Sequence, residues 1–264
     1  MAALPKSNYY YNVKNLDKVD KYRDEKALIS EIFSKHKGWY GYRRITLEMR
    51  NEGVLLNHKT VQKLMKELGL KSKVRAKKYR SYRGRAGKTA PNLLNRQFNS
   101  SKPNEKWVTD VSQFAVMGKK YYLSPILDLY NREIISYDLS DKPNFKQVTD
   151  MISKAFKKLP DDNSLMLHSD QGWQYQMKPY QNMLKSKNIT QSMSRKGNCL
   201  DNSVIENFFG LLKSEFFYHE NFESTEDFTN GIDEYIYYYN NIRIKEKLDG
   251  LSPVQYRLKS AGST

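Results

Sequence analysis

Three carboxylates stand where the local sequence gives them no evident structural duty: Asp110, Asp170 and Glu206. Asp110 lies inside the predicted strand "KWVTDVSQFAV", beside Trp107 and Val108. Asp170 ends the apolar strand of "LMLHSDQGWQY", and Gly172 follows where the backbone must turn away. Glu206 falls one turn into a helix that starts near Ser203, with thirty-five residues between it and Asp170. Three acidic groups brought together repel one another and raise their pKa values unless divalent cations fill the gap. Magnesium (Mg2+) suits such a set, because it prefers oxygen ligands and keeps positions open for phosphate oxygens and water. Two such ions about 3.5–4 Å apart activate an attacking oxygen and stabilise the leaving one in displacement at phosphorus. Each residue also has a plainer use. Glu206 with Ser203 has capping-box spacing, Asp170 can be a turn residue before Gly172, and Asp110 can pair with a lysine. Type and spacing leave these alternatives open.

The elements that would position the three follow from periodicity. "KWVTDVSQFAV", "KKYYLSPILDLY" and "REIISYDLS" read as three strands of an antiparallel meander. Residues 144–158 read as a helix burying Phe145, Val148, Ile152, Ala155 and Phe156. A strand ending at Asp170, a helix around "PYQNMLKSK", a strand at "ITQSMS" and a helix through "VIENFFGLLKSEFF" follow. A last helix buries Phe228, Ile232, Tyr235, Ile236 and Tyr239, and Pro253 closes the tail. This order describes an α/β domain, a mixed five-stranded sheet flanked by helices. With the first and fourth strands as neighbours, Asp110 and Asp170 lie side by side.

Upstream the pattern is all helical. Leu28 with Ile32 and Ile29 with Phe33 mark a first helix; Gly38 and Gly41 mark a turn, and Ile45 and Met49 a second helix. Asn57 caps a third, which carries the stripe Val61, Leu64, Met65 and Leu68 and stops at Gly69 and Leu70. Lys59, Gln62, Lys63 and Lys66 point away from that stripe, as in a helix-turn-helix module that sets its last helix in a major groove. The run "KSKVRAKKYRSYRGRAGK", residues 71–88, holds nine Lys or Arg and no acid. Arg75, Lys77, Lys78, Arg80, Arg83 and Arg85 are its candidate phosphate contacts, with Tyr79 and Tyr82 placed to stack. Forty-five Lys and Arg against twenty-nine Asp and Glu leave the 264-residue chain at +16, which favours a polyanionic partner over an anionic small substrate. Cys199 is the single cysteine, so no internal disulfide forms and a reducing compartment fits. No apolar run approaches the roughly 18 residues of a membrane span, and "MAALPKSNYYYNVKN" lacks a signal's apolar core.

"WVTDVSQF", "ILDLYNREII", "LHSDQGWQY" and "SMSRKGNCLDNSVIENFFGLLKSE", in that order, closely resemble the catalytic core of bacterial transposases of the insertion sequence three family, which share that core with retroviral integrases. "HKGWYGYRRITLEMRNEG" and "NHKTVQKLMKELGL" resemble the helix-turn-helix region of the family's second reading frame, and "YIYYYNNIRIKEKLDGLSPVQYR" its closing segment. The resemblance covers about residues 25–258. It implies an RNase H-like fold and a DDE triad of Asp110, Asp170 and Glu206 holding two magnesium ions, with Mn2+ able to substitute. It implies cleavage of one strand at the element's end and attack of the freed 3′ hydroxyl on another phosphodiester. It also implies double-stranded DNA partners (terminal inverted repeats and target), at least a dimer on DNA, an upstream-frame product as fusion or partner, and a cytoplasmic, nucleoid-associated location. Many relatives have a histidine where this chain has Lys245, so no role is carried to that position. One cysteine and four histidines do not build the zinc-binding domain of retroviral integrases.

Around the triad, Lys213 stands two helical turns beyond Glu206 on the same face, placed to hold a DNA phosphate. Arg195, Lys196 and Asn198 in the preceding loop are placed to track the strand, and Asn202 to orient the loop. His168 reads as a packing residue, because magnesium favours oxygen. The expected organisation is an N-terminal extension (1–21), a helix-turn-helix-like DNA-binding domain (22–70), a basic linker (71–100), the catalytic core (101–220) and a C-terminal helix and tail (221–264). Two other readings compete with a transposase: a catalytically idle DNA-binding regulator, and an RNase H-fold nuclease without strand transfer.

Overall fold

The computed structural model describes residues 20–73, 89–160 and 163–262. The chain divides into two units, Met1–Lys73 and Val74–Thr264. In the first, α1 (Arg23–Lys35), α2 (Tyr42–Asn51) and α3 (His58–Glu67) pack through Ile29, Ile32, Ile45, Met49, Val61, Leu64 and Met65. Asn57 caps α3, its side-chain oxygen accepting the Lys59 N–H at 2.9 Å. Gly69, at φ 68°, ends it. The Leu70 N–H donates to Met65 C=O (2.8 Å) and the Gly69 N–H to Lys66 C=O (3.1 Å), the two bonds of a Schellman stop. Of the expected α1 pairs, Ile29 and Ile32 are buried while Leu28 and Phe33 lie half-buried.

The second unit is built on a sheet of β1 (Lys106–Thr109), β2 (Ser112–Val116), β3 (Lys119–Asp128), β4 (Ile134–Ser140), β5 (Met166–Ser169) and β6 (Thr190–Met193). β3 pairs antiparallel with β4 on one side and with both β1 and β2 on the other; β5 is parallel to β1, and β6 to β5. The six strands therefore occupy five lateral positions, because β1 and β2 are two halves of the predicted first strand. That strand is not continuous. The Asp110 carboxylate accepts the N–H of Val111 at 2.7 Å, removing that donor from the ladder at the break.

α4 (Phe145–Phe156) and α5 (Lys178–Ser186) cover one face of the sheet. Val148, Ile152 and Ala155 of α4 are buried with Met151 and Gln147, whereas Phe145 and Phe156 sit at the margin, partly exposed. Gln147 was not predicted inside; its amide donates to the C=O groups of Tyr122 and Asp138, which satisfies a buried polar group. Elsewhere in the unit, α6 (Ser203–Leu212) and α7 (Thr225–Asn241) contribute an aromatic cluster in which Phe208 meets Tyr239 at 4.9 Å and Phe114 meets Phe228 at 5.8 Å. All five residues of the predicted α7 stripe are buried. The α6 helix does not continue unchanged to Phe217: Lys213–Phe217 widens into a π turn, with Glu215 buried and bonded to Arg243 (2.8 and 2.5 Å) and Tyr235 (2.8 Å). Pro253 does not close the tail. It opens α8 (Pro253–Ala261), behind a capping box between Ser252 and Gln255.

Candidate active site

Parallel pairing of Trp107 with Leu167 and Val108 with His168 brings the C-terminal ends of β1 and β5 level. Two residues further on, the same register sets Asp110 beside Asp170, each one position past its strand. Both are half-buried. Oδ1 of Asp110 accepts the Val111 N–H at 2.7 Å, and Oδ1 of Asp170 accepts the Gly172 N–H at 2.9 Å. Gly172 is not there for a left-handed turn: its φ is −58°, and a Cβ would press on the movable end of Gln174 at 2.6 Å and on Asp170 Oδ1 at 3.0 Å.

Glu206 sits in the first turn of α6, half-buried. The capping-box alternative is not realised. Asn202 occupies the cap, Ser203 is already helical, and no side chain caps the helix. Asn202 instead donates from Nδ2 to Thr109 C=O at 3.2 Å, fastening the start of α6 to the residue before Asp110.

The electrostatics are those of crowded acid. Burial pushes Asp110 well above the usual carboxylate range, the charge of Asp170 pushes it further and Glu206 adds to this; the Val111 N–H and Lys213 pull against them. Burial also raises Asp170, against the Gly172 N–H. Lys213 is half-buried at the start of the π turn, donates to Ser112 Oγ at 2.7 Å and lies 5.0 Å from the centre of the Phe114 ring. Burial lowers its pKa, and Asp110 opposes the shift. Among the described residues, no group of three or more acidic, His or Cys side chains is already gathered to hold a metal ion. Asp110 feels the charges of both Asp170 and Glu206, without the three converging on a single point.

Of the loop residues, Arg195 is bound to Asp201, Nε and Nη2 donating at 2.9 Å each. Asn198 accepts from Arg96 at 3.1 Å, and Lys196 is exposed. Asp201, Arg96 and Asn92 escaped sequence reasoning, because the contacts of Arg96 and Asn92 with Asp201 join positions about a hundred residues apart with no local signature. His168 is fully buried, its Nδ1 2.8 Å from Ser192 Oγ, and burial lowers its pKa to about 4. It is neutral and structural. In the first unit, Lys59, Gln62, Lys63 and Lys66 are all exposed and line, with Tyr42 and Lys71, a groove of about 650 Å³. Arg75, Lys77, Lys78, Arg80, Arg83 and Arg85 lie outside the described residues.

Residues 100–199 and 206–260 match family models described as integrase core domains, and residues 21–78 one described as an HTH-like domain. The InsK protein of insertion sequence element IS150 from Escherichia coli (strain K12) is 56% identical over 97% of this chain and 90% of its own length. The transposase InsF of insertion sequence IS3A from the same organism is 33% identical over 89% of this chain and 82% of its own. Among solved structures, the HTLV-2 integrase catalytic core domain in complex with magnesium superposes with a TM-score of 0.47 at 19% identity, covering 60% of this chain and 98% of that one.

Proposed function

Because the chain belongs to the IS3 family of insertion-sequence transposases, polynucleotidyl transferases with an integrase core, we propose that Asp110, Asp170 and Glu206 are its catalytic carboxylates. The observation that carries this is the register of β1 and β5, which sets two half-buried aspartates level at one end of the sheet. Oδ1 of each is tied back by a main-chain N–H, and Oδ2 of each makes no hydrogen bond with a described residue. Carboxylates whose pKa values are raised by burial and mutual repulsion fit a hard divalent cation, which relieves both. Asp110 and Asp170 would hold it, with Glu206 completing the set from the first turn of α6. Magnesium is the proposed ion, manganese a substitute, and two of them when bound would supply activation of the attacking oxygen and stabilisation of the leaving one.

The protein's own residues orient and neutralise. Asn202 holds the start of α6 against β1, so Glu206 reaches the aspartates from a fixed side. Lys213, beside Asp110, offers its ammonium to a phosphate that displaces Ser112. Water attacks in the cleavage step and the 3′ hydroxyl of the cut strand in the joining step. Either way no covalent protein intermediate forms. The proposed DNA partners are the element's terminal inverted repeats and a target duplex. Lys59, Gln62, Lys63 and Lys66 on α3 are assigned to base and phosphate contact, and the basic run to phosphates. Bringing two ends together calls for at least a dimer on DNA, with the upstream-frame product as fusion or partner, in the cytoplasm at the nucleoid. No helix among the described residues is long and apolar enough to cross a membrane.

The test supplies end DNA already cut to a 3′ hydroxyl, with target duplex and Mg2+ or Mn2+, to the chain with and without its upstream-frame partner. Joined product from the wild type and none from Asp110→Asn supports the assignment. Joining by Asp110→Asn at the wild-type rate removes it.

A further inference from the structure

Residues 89–98 follow the basic run and lie along the edge strand β6 as a strap. The Met193 N–H donates to Pro91 C=O at 3.2 Å, and the N–H groups of Leu93 and Leu94 donate to Ser192 Oγ at 2.9 and 3.2 Å. The strap then turns through two consecutive left-handed residues that are not glycine, Asn95 at φ 42° and Arg96 at φ 61°. Asparagine adopts such backbone readily, but for arginine it is unfavourable and persists only where the surroundings enforce it. What it achieves is to deliver Arg96 onto Asp201.

Asp201 is fully buried and gathers three partners. Arg96 Nε donates to Oδ1 at 2.8 Å, Asn92 Nδ2 to Oδ2 at 2.9 Å, and Arg195 spans both oxygens at 2.9 Å. Arg96 also donates to Asn198 Oδ1 at 3.1 Å. One carboxylate needs one arginine. Here two share it, with side chains 43% and 54% exposed, so the cluster keeps an uncompensated positive charge on its open side. Its place is set by the loop's two ends. Ser194 accepts from Gln171, the neighbour of Asp170, at 3.1 Å, and Asn202 donates to Thr109, the neighbour of Asp110.

We infer that Arg96 and Arg195, braced in parallel by Asp201, form a clamp for a backbone phosphate of the DNA strand entering the active site. Guanidinium groups held in a fixed fork suit phosphate oxygens, and in sequence the strap follows directly on the basic run. Asp201 is a positioning residue: hydrogen bonds from Arg195 hold its carboxyl far below the usual range, so it stays ionised and keeps both arginines aimed. This rests on the transposase reading above and names a contact within it.

The test replaces phosphates of the end DNA one at a time with neutral methylphosphonates and measures binding and joining by the full chain. In the wild type, one position loses about tenfold in affinity; in Arg96→Gln or Arg195→Gln the same replacement costs less than about twofold. Each variant also lowers the slope of log affinity against log salt by about 1. Asp201→Asn makes the chain more positive, so charge alone predicts tighter binding, whereas the clamp predicts about fivefold weaker binding. Penalties that simply add at every phosphate, with unchanged salt slopes, would reduce the cluster to a brace and overturn the proposal. Should Arg96→Gln fail to fold, Arg195→Gln and Arg96→Lys carry the same comparison. Binding needs no chemistry, so a wild type that shows the phosphate effect but never joins DNA sinks the catalytic reading and leaves the clamp.

Discussion

Asp128 and Asp110 lie toward opposite ends of β1: Asp128 pairs with Trp107 near its start, and Asp110 follows its last residue. Burial raises the pKa of both. At Asp128 the fold answers that cost. Its carboxylate accepts the N–H groups of Asn104 and Tyr130 at 2.9 Å each, and Arg257 of α8 approaches to 3.4 Å while holding Glu133 at 2.6 Å. At Asp110 the next influence after burial is another negative charge, Asp170, which makes matters worse. The same residue type is thus given main-chain donors and an arginine at one end of the sheet and set beside a second carboxylate at the other. A protein does not keep repelling acids half-buried for stability.

The contrast is sharpest under substitution. Asp110→Asn or Asp170→Asn should lower cleavage and joining by about a thousandfold or more while end-DNA binding stays within about threefold, read by single-turnover joining and by gel shift. Asp128→Asn should do the reverse, losing about 2 kcal/mol in urea unfolding with joining per folded molecule unchanged. If Asp128→Asn spared stability, the claim that this end is completed by the fold would fail. Smaller still, Asp110→Asn in metal-free buffer should gain about 1 kcal/mol by removing a repulsion, a gain that shrinks as Mg2+ is added to both proteins.

The pH dependence divides the same way. Asp110 and Asp170 have raised pKa values in the folded state, so the folded chain binds their protons more tightly than the unfolded one. Metal-free stability from this pair therefore rises as pH falls from above the folded values, and the gain is complete below the ordinary 3.8. Asp201 has the opposite sign: its lowered pKa contributes stability above 3.8 that is lost as pH falls through the folded value. The difference between wild type and Asp110→Asn in urea midpoint should accordingly narrow toward acid. A constant difference would mean that Asp110 titrates normally.

Much of this was legible before coordinates, and the reasons are local. The α7 stripe from Phe228 to Tyr239 follows helical spacing, and the Asn57 cap and the Gly69 stop are written in single residues. The alternation of strands and helices gave the sheet, and strand order then set Asp110 beside Asp170. What stayed hidden depended on distant partners or competing local geometry. The break at Asp110 comes from its own side chain taking the Val111 N–H, which strand periodicity does not register. Ser203 and Glu206 have the spacing of a capping box, but the 3-10 turn Cys199–Asn202 runs directly into α6 and makes Asn202 the cap. The Ser252 and Gln255 box is equally local, and with it Pro253 starts a helix instead of ending the chain's regular structure. Arg96 carries no local signature, and only the fold brings it to Asp201, 105 positions along the chain.

The proposed catalysis turns on whether Asp110 and Asp170 share a cation that Glu206 completes. Anomalous diffraction from crystals of the full chain grown with saturating Mn2+ and end DNA reads this directly. The predicted result is a manganese peak bridging the two aspartates, with the Glu206 carboxylate drawn onto the metal site. No peak at that end of the sheet, or a peak with Glu206 turned away and Glu206→Ala still joining DNA at the wild-type rate, would contradict it.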